Sequence, residues 1–120
     1  MAKILVVEDN PVNLELVKDL LENYGYDVFT AANGLEALDL AKKYSPDLIL
    51  MDLQLPGMGG LTVTSLLKED PQTANIPIVA LTAFAMSHDE TKARNAGCIG
   101  FITKPINTRE FPKLVASFLK

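Results

Sequence analysis

Two adjacent acids, Glu8 and Asp9, close a short apolar run near the amino end, and a third acid, Asp52, closes another in mid-chain. Thr82 ends a further run of this kind, and Lys104 follows yet another. Carboxylates gathered in one place repel one another unless a cation sits among them. One or two carboxylates, waters and a phosphate form the usual oxygen surroundings of magnesium. An Asp carboxylate is also a known covalent acceptor of phosphoryl groups. A lysine acting as a point charge and a hydroxyl acting as a donor both suit phosphoryl oxygens. The chemistry open to such a set is phosphoryl transfer, where catalysis is mostly positioning and charge neutralisation. Each residue alone has a plainer reading. Glu8-Asp9 could cap the next helix, Asp52 could simply terminate its strand, and Lys104 could be a neutralising partner. Those readings leave the coincidence of five at one edge unexplained.

Whether they do meet depends on the elements that carry them. Asp47-Leu48-Ile49-Leu50-Met51-Asp52 is too uniformly apolar for a half-exposed strand, which would alternate. It reads as a central strand covered on both faces, as in a parallel sheet sandwiched by helices. Apolar runs alternate with helical patterns five times along the chain, the arithmetic of a five-stranded α/β unit. The expected strands are residues 3–7, 27–31, 47–52, 76–82 and 98–103, the second more polar and at an edge. In such a sheet ligands and chemistry gather at the carboxyl ends of the strands, where all five residues fall.

The helices follow from their punctuation. Asn10-Pro11 opens the first, with Asn as cap and Pro where its missing donor costs nothing. Val17, Leu20, Leu21 and Tyr24 are its expected buried stripe, and Gly25 ends it. The second runs from Asn33 to Tyr44, with Glu36 at capping-box spacing from Asn33. The third, Leu61 to Lys68, is weakly patterned, and residues 70–75 are expected as loop. Ser87-His88-Asp89-Glu90 is capping-box sequence for the fourth, which offers only Ala93 and Ala96 for packing. Its hold on the sheet should therefore be weak. The fifth starts near Asn107 or Thr108 and carries Phe111, Leu114, Val115, Phe118 and Leu119 on one face, with Pro112 distorting its start.

Composition excludes several classes of function. At 120 residues the chain is one domain with room for a real core. No apolar run approaches membrane-spanning length, and the amino end lacks the layout of a secretory signal. The single cysteine, Cys98, rules out an internal disulfide, and no Cys/His cluster could hold zinc. A reducing cytoplasm is the expected setting. A net charge of −4 argues against sequence-independent nucleic-acid binding.

Glu8-Asp9, Asp52, Thr82-Ala83 and Lys104-Pro105, set in this five-fold β/α pattern, resemble the receiver domain of two-component response regulators. The resemblance covers the whole chain, residues 1–120. Leu81-Thr82-Ala83-Phe84-Ala85-Met86 and Lys104-Pro105-Ile106 are most similar to single-domain cell-division receivers of the DivK type, and receivers of hybrid kinases are similar there too. The resemblance implies a flavodoxin-like fold with strand order 2-1-3-4-5. It implies that Asp52 takes a phosphoryl group from the phosphohistidine of a histidine kinase or a histidine phosphotransfer protein. Glu8 and Asp9 would hold Mg2+ (Mn2+ as a substitute), with Asp9 and Asp52 as direct ligands joined by the backbone carbonyl of Gln54. Thr82, Ala83 and Lys104 would surround the phosphoryl group, Thr82 and Phe101 would form the switch, and the Lys104-Pro105 bond would be cis. Phe101 stands where a tyrosine is often found, so a hydroxyl-dependent contact of the signalling state is absent. Gln54 and Phe84 would flank the path of attacking water and set the lifetime of the phosphorylated form. Neither side chain can act as a base, so slow self-dephosphorylation is expected.

Rival classes fare less well. A phosphatase working through an aspartyl-phosphate resembles this fold, but its second acid, two residues beyond the nucleophile, is here Gln54. A nucleotide or flavin binder would need a Gly-rich phosphate loop after strand one, and none is present. Gly57-Met58-Gly59-Gly60 reads as a turn. His88 reads as an exposed helix residue and Cys98 as a small buried apolar one. The expectation is a signalling module read by a downstream protein target, without membrane or direct nucleic-acid binding and without turnover of an external substrate. With the chain stopping at Lys120, no output domain is expected; it is a stand-alone receiver or one cut from a larger regulator or hybrid kinase. The partner face is expected on helix four, strand five and helix five.

Overall fold

Five short runs rich in Ile, Leu and Val form strands β1 (Lys3–Val7), β2 (Asp27–Ala31), β3 (Leu48–Asp52), β4 (Ile78–Thr82) and β5 (Gly100–Thr103). The computed structural model describes residues 2–83 and 87–119, with Ser87, His88 and Asp89 described by backbone alone. All pairings are parallel and the strand order is β2-β1-β3-β4-β5. Every residue of β3 and β4 is buried, as continuous apolar runs in the middle of a covered sheet must be. β2, at the edge, is only half buried over most of its length.

Alternation along the strands divides the core in two. Leu5, Val7, Ile49, Met51, Ile78 and Ala80 face one side, under helices α2 (Gly34–Tyr44), α3 (Gly60–Glu69) and α4 (Ser87–Ala96). Ile4, Val6, Leu48, Leu50, Val79 and Leu81 face the other, under α1 (Pro11–Asn23) and α5 (Phe111–Phe118). The sheet is thus a doubly wound, flavodoxin-like (βα)5 layer whose strand ends all point the same way. No described helix is long and apolar enough to cross a membrane.

The caps explain the boundaries. The Asn10 side chain accepts from the Val12 and Asn13 amides at 2.9 and 3.2 Å, and Pro11 takes the first helical position. Asn33 accepts from the Glu36 amide at 2.9 Å, while the Glu36 carboxylate reaches back to the Ala32 amide at 2.8 Å. That is a capping box shifted by one residue on its return arm.

Several expectations need correction. Tyr24 is 58 % exposed, because α1 ends at Asn23 and the buried stripe stops at Leu21. Residues 76–77 precede β4: Ile76 N closes a turn onto Thr73 O, and Pro77 has no amide to donate. β5 begins at Gly100 rather than Cys98. α5 begins at Phe111, since Asn107 folds the preceding residues into a turn, accepting from the Arg109 and Glu110 amides at 3.0 and 3.1 Å. Leu114 is 41 % exposed, because the buried positions of α5 are Phe111, Pro112 and Val115 and Leu114 falls at their border. The capping-box side chains of Ser87, His88 and Asp89 lie outside what is described.

Candidate functional site

Asp52 is the last residue of β3, opposite Leu81 of β4. Its side chain lies at the carboxyl edge of the sheet yet is almost fully buried. Two contacts orient it: the Gln54 amide donates to Oδ1 at 2.9 Å, and Lys104 Nζ stands 3.1 Å from Oδ2. The backbone beneath is held as closely. A Cβ at Gly60 would collide with the Asp52 carbonyl, so α3 can start against β3 only with glycine there. Gly57, at φ 72°, turns the loop between them through a region that L side chains rarely adopt.

Glu8 follows β1 and is tied to the sheet by its amide, which donates to Ala31 O at 3.0 Å. Lys104 Nζ lies 3.1 and 3.2 Å from its two carboxylate oxygens. Asp9, beside it, is exposed. One carboxylate oxygen from each of Glu8, Asp9 and Asp52 can be chosen so that all lie within 4.8 Å of one another. Lys104 is placed by β4: its amide donates to Thr82 O at 2.7 Å, and the bond to Pro105 is cis. Thr82, itself buried, ends β4 opposite Thr103. The five residues singled out at strand ends are therefore brought to one edge.

The electrostatics follow from crowding. Burial, then the neighbouring Asp52 carboxyl, pushes Glu8 up to about 7. Burial pushes Asp52 upward as well, but the Glu8 carboxyl, the Gln54 amide and Lys104 together hold it below its ordinary value. Without a metal, the Glu8–Asp52 pair thus keeps its proton on Glu8. Burial opposes the charge on Lys104, and the two carboxylates more than offset it, raising its pKa. Three acids against one lysine leave an excess of negative charge in a partly dry cleft. Oxygen donors within bridging distance, one of them exposed to incoming solvent, suit a hard, hydrated cation such as magnesium.

Of the other residues singled out, Ala83 and Gln54 are exposed beside the cleft. Phe101 pairs with Ala80, is partly buried against the α2–α4 side of the core, and lines a groove of about 280 Å³ with Pro105, Glu110, Phe111 and Leu114. Phe84 lies outside the described residues. Sequence reasoning missed two contributors. Asn13 lines the same cleft as Glu8 and favours its ionised form; its place in the first turn after the Asn10-Pro11 cap was the available signal. Gly60 was read only as a turn residue, whereas its missing side chain admits the Asp52 carbonyl.

Comparison with known proteins agrees with this geometry. The response regulator receiver domain family matches residues 4–116. The chain is 49 % identical over 116 residues to the polar-differentiation response regulator DivK of Brucella anthropi, covering 97 % of this chain and 94 % of that one. The DivK of Brucella abortus is 48 % identical over the same shares. Among solved structures, the chemotaxis protein CheY4 of Vibrio cholerae superposes with a TM-score of 0.94 at 31 % identity, covering 98 % of both chains. The receiver domain of a sensor histidine kinase from Pseudomonas aeruginosa, solved with a magnesium ion coordinated in its active site cleft, gives 0.90 at 33 % identity, covering 98 % of this chain and 97 % of that one. Fold, acidic cleft and sequence thus agree, and the chain belongs to the response regulator receiver domains, phosphorylation-dependent signalling proteins of two-component systems rather than classical enzymes.

Proposed function

We propose that Asp52 accepts a phosphoryl group from the phosphohistidine of a histidine kinase or phosphotransfer protein, and that a downstream protein reads the result. The observation that supports this most directly is the setting of Asp52: buried, ionised, and 3.1 Å from Lys104 at a sheet edge shared with Glu8 and Asp9. An Asp52 oxygen attacks phosphorus as the P–N bond breaks and its electron pair returns to the imidazole. Lys104 then faces the transferred group as a compensating charge, its ammonium already held over the cleft by Glu8. Asp9, Asp52 and the Gln54 backbone carbonyl, with Glu8 behind them, would hold magnesium or manganese, which would supply neutralisation of the phosphoryl charge. Thr82 and Ala83 line the phosphoryl position, Thr82 donating its hydroxyl.

Readout runs through Thr82 and Phe101 to the face built by α4, β5 and α5. Gln54 and Phe84 set the lifetime by controlling water, and self-dephosphorylation is slow. Phosphorylation and readout take place in the cytoplasm, a reducing compartment that suits the unpaired Cys98. The deciding experiment is intact mass after incubation with acetyl phosphate and magnesium. The wild-type chain gains one phosphoryl group, and Asp52→Asn gains none. Labelling of Asp52→Asn at the wild-type level overturns the assignment, and undiminished labelling in excess chelator overturns the metal. Thr82→Ala stays phosphorylatable while losing the gain in partner affinity. An unchanged gain in that variant removes Thr82 from the switch.

A further inference from the structure

The carboxyl end of α4 is fastened in a way that the receiver chemistry does not require. Ala93 is the one fully buried side chain of α4 among the described residues, and it lies in the last turn. Beyond it the chain turns sharply: Gly97 N donates to Arg94 O and Cys98 N to Ala93 O, each at 3.0 Å, with Gly97 at φ 119°. The next amide, Ile99, joins the sheet by donating to Ile78 O at 2.8 Å.

Lys68, from the last turn of α3, lies across this turn. A Cβ at Gly97 would sit 2.6 Å from Lys68 Cγ and 3.4 Å from Cδ and Cε, so the aliphatic stem rests flat on the glycine. The ammonium continues past it to the segment before β4, where Nζ donates to Ala74 O at 3.0 Å and Ile76 O at 2.6 Å. One side chain thereby joins α3, the approach to β4 and the α4–β5 turn. Cys98, next to the glycine, is 5 % exposed, and burial raises its thiol pKa.

We propose that Lys68 is a positioning residue that pins the α4–β5 turn to α3, so that α4 pivots about Gly97 when the domain switches and its carboxyl end stays in place. The pin itself rests on the contacts above; the pivot rests also on the reading that phosphorylation moves α4. Among the described residues of α4 the one buried side chain, Ala93, lies at the carboxyl end, and that end is the fulcrum of the swing. The fixed end keeps the start of β5, and so Phe101, in register while α4 moves.

Cys98 is the chain's only cysteine and gives the readout. Alkylation by iodoacetamide is followed by mass for wild type, Lys68→Ala and Lys68→Met, each with and without acetyl phosphate and magnesium. Removing the stem uncovers the turn, so Lys68→Ala is alkylated at least tenfold faster than wild type. Lys68→Met keeps the stem and loses the two carbonyl contacts, so its rate falls between them. Low concentrations of urea separate local from global opening: the extra alkylation of Lys68→Ala depends weakly on urea, because little surface is exposed. A Lys68→Ala rate within twofold of wild type, or one with the steep urea dependence of global unfolding, overturns the pin. Phosphorylated wild type keeps its slow rate, and a tenfold rise overturns the pivot while leaving the pin intact. Failure to gain a phosphoryl group at all, seen in the same mass spectra, would count against the function proposed for Asp52 and not against the pin.

Discussion

Helices α3 and α4 are neighbours of similar length on the same face of the sheet, and they are attached to it in opposite ways. α3 buries Val63, Thr64 and Leu67 completely and begins with a glycine pressed on the backbone of Asp52. α4 is mostly Ser, Asp, Glu, Thr, Lys, Arg and Asn, with Ala93 as its only fully buried described residue. The first supports the backbone of Asp52 and cannot shift without shifting it. The second contributes little apolar area, so its displacement costs little. A switch needs one part that stays and one that yields, and segments that move come from the low-stability part of a structure. The contrast between these helices supplies both.

The largest effect should come from the fixed helix. Leu67 is fully buried, and its carbonyl also accepts the Thr73 hydroxyl at 2.6 Å. Leu67→Ala should cost about 2–5 kcal/mol through lost burial and the cavity left behind. Denaturant titration of the metal-free protein measures it, and a loss under about 1 kcal/mol would remove the distinction between α3 and α4.

Next comes the pH dependence that the cleft imposes on the metal-free protein. Glu8 rises from an ordinary 4.5 to about 7 on folding. A raised value in the folded state contributes stability that is complete below 4.5 and is lost as pH rises through 7. Asp52 moves the other way, and its contribution is present above 3.8 and lost as pH falls below it. The melting temperature without metal should therefore fall between pH 5 and pH 8. Glu8→Gln should remove most of that slope, and saturating magnesium should flatten it by replacing the proton with a cation. A melting temperature that is level or rising across this range in chelator would show that Glu8 is not crowded by Asp52. Asp9→Asn, which removes one of the three negative charges from the cleft, should likewise raise the melting temperature of the metal-free protein at neutral pH.

How far the sequence led differs between these regions for physical reasons. Strands β1 and β2 were legible to the residue and β3 to its end at Asp52; for β1 and β3 an apolar run closing on acids leaves little choice of where the strand stops. The acidic cleft was legible because parallel strands put all their carboxyl ends on one edge. The polar composition of α4 likewise announced its weak attachment. What stayed hidden were contacts made by absence or by backbone. Gly60 matters for the side chain it lacks, and Lys68 for a stem laid on a glycine that is 29 positions away in the chain. The late start of α5 was missed because Asn107 was read as opening a helix, whereas its side chain closes a turn before it.

On the yielding helix, Ala93→Gly should cost about 1 kcal/mol, the helix-propensity difference, with a small further loss from one buried methyl. That is well below the loss for Leu67→Ala, and a cost approaching it would mean that α4 is held as firmly as α3.

The smallest effect concerns the ion pair on the outer face of α4. Arg94 Nη2 lies 3.2 Å from Glu90 Oε1 at i,i+4 spacing, with both side chains well exposed. A pair of this kind stabilises a helix by about 0.2–0.5 kcal/mol and is screened by salt. Arg94 also reaches Ile99 O at 3.5 Å, a long contact across the α4–β5 turn. If α4 were fastened by charge rather than by Ala93 and the covered turn, Arg94→Gln would release it. If packing at the carboxyl end fastens it, that variant loses only the pair energy and the long contact. Arg94→Gln should therefore lower stability by less than about 1 kcal/mol at low salt. The difference from wild type should shrink further in 1 M sodium chloride, where exposed charges are screened within about 3 Å. Denaturation midpoints at the two salt concentrations decide the matter. A larger loss that persists in high salt would make Arg94, not the apolar contacts, the anchor of α4.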